Sequence, residues 1–182
     1  MPSLLKEDGP VKVTARRVTV VGTWETSTGG DSGWRGKIKK FKGVNLDNVG
    51  IVVQGARPVN YAGLDNLNPE DGITHSGDDT KGKQPETLTV TLADVPREIT
   101  AILFSMAAFQ EGTSFRDAKN VRVSVQADED YTIRPSIVGN ANFIGVAKLY
   151  REGPDWFLTV VDEARQIAQG NRDALVNAAT GM

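Results

Sequence analysis

The chain of 182 residues contains no cysteine. That absence removes disulfide frameworks, thiolate metal sites and cysteine nucleophiles together, and it accords with a reducing compartment. There is one histidine, His75, so a catalytic arrangement that needs a second imidazole cannot be built. No stretch approaches the roughly 20 apolar residues of a membrane span. The start, Met1-Pro-Ser-Leu-Leu-Lys, lacks the basic residues and long apolar core of a secretory signal, and a cytoplasmic location is expected. There is little excess of either charge: 21 basic residues face 23 acidic ones. No global field therefore pulls the molecule towards nucleic acid or anionic lipid, and any such partner would be met through a local patch.

With 39% apolar and 24% charged residues, the length is that of one ordinary domain able to bury its own core. Val11-Lys-Val13-Thr-Ala15-Arg-Arg-Val18-Thr-Val20-Val21 alternates apolar and polar residues and is rich in β-branched types, which predicts one or two strands. Further strands are predicted over 37–42, 49–54, 87–92, 99–106, 121–126, 131–138 and 143–151. Most lie between Gly, Pro, Asn or Asp clusters, and none is separated from the next by a helix. The fold class is therefore mostly β: a two-sheet antiparallel β-sandwich with short C-terminal helices. The helices are predicted because Val161, Ala164, Ile167 and Ala168 fall at helical spacing, with Asp162 and Glu163 near the start and Gly170 as a stop. A second short helix is expected over 171–179. The domain plan is a single unit over 1–182, with a sandwich core over about 11–161 and a helical extension over 162–182. Residues 60–84 are read as one long connection, the first place to look for chemistry.

Three segments are rich in oxygen ligands: Asn45-Leu46-Asp47, Gly77-Asp78-Asp79-Thr80 and Glu86. Calcium takes six to eight oxygens from carboxylates, amide and backbone carbonyls and water. Asp47, Asp78, Asp79 and Glu86 could supply the charge, with Asn45 and Thr80 filling the shell. Asp in Gly-rich loops also forms turns and helix caps without any metal, and spacing alone leaves both readings open.

Gly22-Thr-Trp24-Glu25, followed by Asn45-Leu46-Asp47, resembles the Gly-x-x-Trp-Asp and Asp-Leu-Asp segments of the tellurium-resistance TerD family. Thr74-His75-Ser76-Gly77-Asp78-Asp79-Thr80 resembles its His-Ser-Gly-Asp-Asn loop. Glu86-Thr-Leu-Thr-Val-Thr-Leu-Ala-Asp-Val-Pro96 is similar to the strand leaving that loop. Ser114-Phe115, Asn120-Val-Arg-Val123, Asn142-Phe-Ile-Gly145, Lys148-Leu-Tyr-Arg151 and Trp156 match later segments in order. The resemblance covers roughly 11–161. It implies a β-sandwich whose acidic loops bind calcium, in bacterial cytoplasmic proteins linked to tellurite and general stress resistance. Asn45 stands where the family has its first Asp. Lys81, Lys83, Gln84 and Pro85 replace expected carboxylates, and only Glu111 remains of a later acidic segment. At most one calcium site is expected, at Asn45, Asp47, Asp78, Asp79 and Glu86, and Lys81 and Lys83 could offset the carboxylate repulsion in its place.

Other features have two readings each. Trp34-Arg-Gly-Lys-Ile-Lys-Lys-Phe-Lys42 could contact an anionic surface, or its lysines could protect an edge strand from aggregation. His75, Ser76 and Asp78 are a Ser-His-Asp set in composition, but adjacent residues in a turn rarely reach catalytic geometry. The C-terminal helix, taken as an addition to the family core, could pack on its own sandwich or on a partner. The leading expectation is a non-enzymatic, calcium-binding stress-response binding or scaffold protein with protein partners, self-association among them. The alternative is a structural component of a larger phage-derived or secretion-type assembly, with the metal site weakened or lost.

Overall fold

The computed structural model describes residues 1–26, 46–63, 65–77, 85–137 and 139–182, without the side chains of Thr26 and Asp117. The strands are β1 (Val11–Val13), β2 (Arg17–Thr26), β3 (Asp47–Gln54), β4 (Arg57–Ala62), β5 (Ile73–His75) and β6 (Thr87–Thr91). They continue as β7 (Ile99–Ala107), β8 (Ala118–Gln126), β9 (Asp130–Ile133), β10 (Phe143–Glu152) and β11 (Asp155–Arg165), followed by one helix, α1 (Arg172–Asn177). They form two antiparallel sheets, a six-stranded one in the order β1-β11-β10-β7-β3-β4 and a five-stranded one in the order β5-β6-β2-β8-β9.

The five-stranded sheet shows the alternation that a half-buried strand requires. Val18, Val20, Leu88, Val90, Val123 and Val125 face the interior, while their neighbours are partly or fully exposed. Across the interface they meet Val52, Ile102, Phe104, Ile144, Leu149 and Leu158 of the other sheet. Gly50 lets the sheets close tightly, because a Cβ there would lie 2.6 Å from a methyl of Leu88.

The six-stranded sheet is covered on both faces. Its outer side buries Val49, Ile51, Leu103, Phe143 and Val161 beneath Leu175, Ala178 and Ala179 of the C-terminal segment. This second cover explains the nearly unbroken apolar runs of β7 and β10. The Asn171 side chain caps α1 by accepting from the Ala174 N–H at 3.0 Å. At the other end of the helix, Arg165 of β11 donates to the carbonyls of Ala178 and Thr180 at 2.7 and 2.8 Å. The helix thus packs on its own sheet. Leu175→Ala is expected to lower the unfolding free energy by about 2 kcal/mol in urea titration, the low end for a buried leucine because a surface helix can partly collapse onto the gap. An unchanged value would mean that α1 contributes nothing to the fold.

Three expectations change. Residues 162–165 continue β11 instead of opening a helix. The register with β10 slips between Gly145 and Ala147, and Asp162 takes a positive φ of 49°. Val160 packs in the inter-sheet core and Val161 beneath α1 on the outer face, so burial on both sides of the strand removes the apolar-polar alternation that would have marked it. The Asp162 carboxylate accepts from the Ser136 N–H and hydroxyl at 2.7 Å each. Residues 60–84 are not one connection either, because they hold the end of β4 and all of β5. β4 includes Pro58, which an edge strand tolerates because one row of its groups has no partner strand. Finally, the strand predicted over 131–138 ends at Ile133. The strand predicted over 37–42 lies outside the described residues.

Candidate functional site

At one end of the sandwich β2 stops at Thr26, β3 starts at Asp47, β5 stops at His75, β6 starts at Thr87, and β7 passes to β8 between Ala107 and Ala118. Thr26 pairs with Ala118, Asp47 with Ala107 and His75 with Leu88. The described flanks of all three oxygen-rich segments, Asp47, Gly77 and Glu86, therefore gather at this end.

A buried polar network ties them. The His75 side chain has no solvent exposure. Its Nδ1 accepts the Gly77 N–H at 3.0 Å, which leaves the proton on Nε2, placed 2.8 Å from the Asn48 carbonyl to which it donates. Asn48, 1% exposed, donates its backbone N–H to Glu86 Oε2 at 3.0 Å. Its Nδ2 donates to the carbonyls of Val20 at 3.1 Å and Glu86 at 3.4 Å. One side chain on β3 thus grips β2 and the start of β6 in the opposite sheet. Asn48 Oδ1 is buried with no partner among the described residues.

His75 Nε2 lies 3.8 Å from Glu86 Oε2, a spacing that suggests an ion pair. The ring is nevertheless neutral, because a protonated Nδ1 could not accept the Gly77 N–H and because full burial disfavours charge. Burial pushes the His75 pKa below its ordinary value, against the smaller upward pull of the Asn48 carbonyl. The folded state therefore binds this proton more weakly than the unfolded chain does. The resulting stability is complete above the unfolded value of about 6.5 and is lost as pH falls towards the folded value. With one histidine in the chain, urea titrations at pH 7.5 and 5.5 isolate the effect. The unfolding free energy should be lower at 5.5, and an equal or higher value would contradict a neutral buried ring.

Ser76 is also occupied by the backbone. Its Oγ accepts the Thr87 N–H at 2.9 Å, and its own N–H donates to the Thr87 carbonyl at 2.8 Å. Both nitrogens of His75 and the hydroxyl of Ser76 thus hold the turn together. Asp78, the third member of the Ser-His-Asp set, lies outside the described residues.

The other face of β3 carries a different group. Alternation puts Asp47 with Val49 and Ile51 on the outer side, where it borders an apolar pocket of about 260 Å³ lined also by Tyr61, Phe109, Arg172 and Leu175. Tyr61 donates to Asp65 Oδ1 at 2.7 Å, and Arg172 forms an ion pair with Asp65. Desolvation, then the hydrogen bond and charge of Asp65, push the Tyr61 pKa up to about 12. Desolvation raises the Asp65 carboxyl, but the Tyr61 bond and the Arg172 charge outweigh it and hold the group below its usual range.

A model of the family described as the TerD domain matches residues 9–177. The chain belongs to the TerD domain family. The match reaches through α1, so the helix lies within the TerD domain and is not an addition to it. Among solved structures, a homologue of the telluride resistance protein TerD, SCO6318 from Streptomyces coelicolor A3(2), aligns with a TM-score of 0.64 at 22% identity, covering 92% of this chain and 97% of its own. A protein of unknown function, SAV2460, aligns with a TM-score of 0.56 at 16% identity over 83% of this chain and 92% of its own. At these identities the likeness is one of fold. None of the curated proteins matches significantly.

In this TerD domain, Asp47 and Glu86 are the two sequence-predicted ligands that are described. They flank Asn48 from opposite faces of β3, Glu86 inward and Asp47 outward. Asn45, Asp78 and Asp79 lie outside the described residues, as do Lys81, Lys83 and the basic run 34–42. Glu111 is exposed in the β7–β8 connection at the same end. Among the described residues no three His, Asp or Glu side chains meet at metal-binding range. Sequence reasoning missed Asn48, although a polar residue at an inward position, between Leu46 and Gly50, is a readable break in the apolar pattern. It also missed the Tyr61, Asp65 and Arg172 set, which joins residues more than 100 positions apart.

Proposed function

We propose that this TerD domain is a non-enzymatic, calcium-responsive binding protein of the cytoplasm, serving tellurite and general stress resistance through a protein partner. The observation that carries the reading is the gathering of the flanks of all three oxygen-rich segments at one end of the sandwich, braced by the Asn48, His75 and Glu86 network. The donor chemistry fits a hard cation. Asp47, Glu86 and the unmet Asn48 Oδ1 are oxygens, there is no cysteine, and the one imidazole has both nitrogens engaged, which leaves little for zinc. Calcium would be held by carboxylates of Asp47, Asp78, Asp79 and Glu86 with the amide of Asn45, and would neutralise their mutual repulsion. A non-catalytic role is supported by the occupation of His75 and Ser76 with backbone groups.

Isothermal titration of chelator-treated protein should give one calcium site with weaker binding of magnesium, because a loose loop rich in carbonyls suits the larger ion. No saturable calcium heat would overturn the reading. The alternative as an assembly component loses one of its motives, since α1 lies against its own sheet. Light scattering of a strictly monomeric protein at high concentration would count further against it.

A further inference from the structure

The opposite end of the sandwich carries a basic cleft that the acidic end does not explain. The β1–β2 corner, the β6–β7 connection and the β10–β11 hairpin enclose about 970 Å³, lined by four cationic side chains, Lys12, Arg16, Arg97 and Arg151, and one carboxylate, Asp155. Asp155 is already paired with Lys12 at 2.9 Å. The nearby Asp128 is turned to Thr14, accepting its N–H and hydroxyl at 2.6 Å each. Arg16 and Arg97 are exposed, and among the described residues their guanidinium groups have no partner. Arg151 is fixed in the wall. Its guanidinium lies 4.5 Å from the Trp156 ring centroid, and Nη2 donates to the carbonyls of Val95 and Pro96 at 3.2 and 3.5 Å. No carboxylate among the described residues neutralises it. Leu92, Val13 and Val95 add apolar wall.

Three guanidinium groups without counter-charges in one concavity are unusual in a chain whose net charge is −2. Arg16 and Arg97 are planar forks that take oxyanions bidentately, Arg151 has Nη1 left to donate while its Nη2 is held by the Val95 and Pro96 carbonyls, and the cleft gathers their combined field. The volume is that of a small-molecule site. A single carboxylate would leave most of this charge unmet, whereas phosphate oxygens would match it. Nucleic acid needs a longer basic stripe than one cleft supplies. We propose that this cleft binds a small phosphorylated molecule bearing at least two negative charges, whose phosphate oxygens are taken by Arg16, Arg97 and Arg151. This site is separate from the calcium reading and stands without it.

Pyrophosphate titrated calorimetrically into the chelator-treated full chain is the test. Binding should be tighter than about 1 mM and should weaken with added salt. Arg16→Gln with Arg97→Gln should weaken it at least about tenfold, and Arg97→Gln alone should fall between. Because both side chains are exposed, the melting temperature without ligand should not move, and this separates lost binding from lost fold. Asp78→Ala should bind pyrophosphate as the parent does. No saturable binding, acetate binding as tightly as pyrophosphate, or affinity unchanged in the double variant would each overturn the proposal. Binding confined to a DNA duplex or to phosphatidylserine vesicles would also overturn it.

Discussion

Calcium at about 100 times its dissociation constant should stabilise chelator-treated protein by about 2.7 kcal/mol if the unfolded chain does not bind it. For a domain of this size that is a rise in melting temperature of about 5–10 °C. The affinity expected is about 10⁻⁵ to 10⁻³ M, in the weaker range of calcium sites, because Lys81, Lys83 and Asn45 reduce the negative charge of the ligand set. Asp78→Ala should abolish the increment while leaving the metal-free melting temperature close to the parent value. The base of the loop is held by His75, Ser76 and Asn48, none of which the substitution replaces. No shift with millimolar calcium, or the same shift in Asp78→Ala, would make the acidic segment a structural turn and favour the assembly role.

The second large effect belongs to His75. His75→Ala removes an acceptor from the Gly77 N–H and a donor from the Asn48 carbonyl, and it opens a cavity at a residue only 2% exposed. Each unmet buried backbone group costs about 1–3 kcal/mol. With the cavity added, the unfolding free energy should fall by about 3–5 kcal/mol, a loss measurable by urea titration. His75→Gln, whose amide can both donate and accept, should restore part of it. That rescue distinguishes a bracing imidazole from a catalytic one. A broad esterase and phosphatase screen that found activity lost in both variants, with stability near the parent value, would reverse the non-enzymatic reading.

Much of the fold was legible because alternation reports one-sided burial directly. Val18, Val20, Leu88, Val90, Val123 and Val125 occupy the inward positions that their spacing predicts. Legibility failed where a second influence acted on the same residues. Cover on both faces of β11, with Val160 in the inter-sheet core and Val161 beneath α1, removed the alternation there and disguised strand as helix. Edge position made Pro58 acceptable within β4, and the shortness of β5 hid it inside an apparent connection. The candidate ligands were found by residue type and family resemblance, but no local pattern says which face of a strand a carboxylate takes at the point where its strand begins.

By itself the sequence determined the class of the protein. The absence of cysteine and of long apolar runs, the β-branched alternation and the ordered TerD segments are properties of residue type and spacing, which do not depend on distant neighbours. Tertiary structure alone decided which charges meet. Asp65 and Arg172, Arg165 and the end of α1, and the arginines at 16, 97 and 151 stand far apart in the chain and come together only through sheet order and register. It decided the state of His75 as well. Sequence supplies an imidazole with an ordinary affinity for protons, whereas burial and the two backbone partners, contributed by β3 and by the turn after β5, make it neutral.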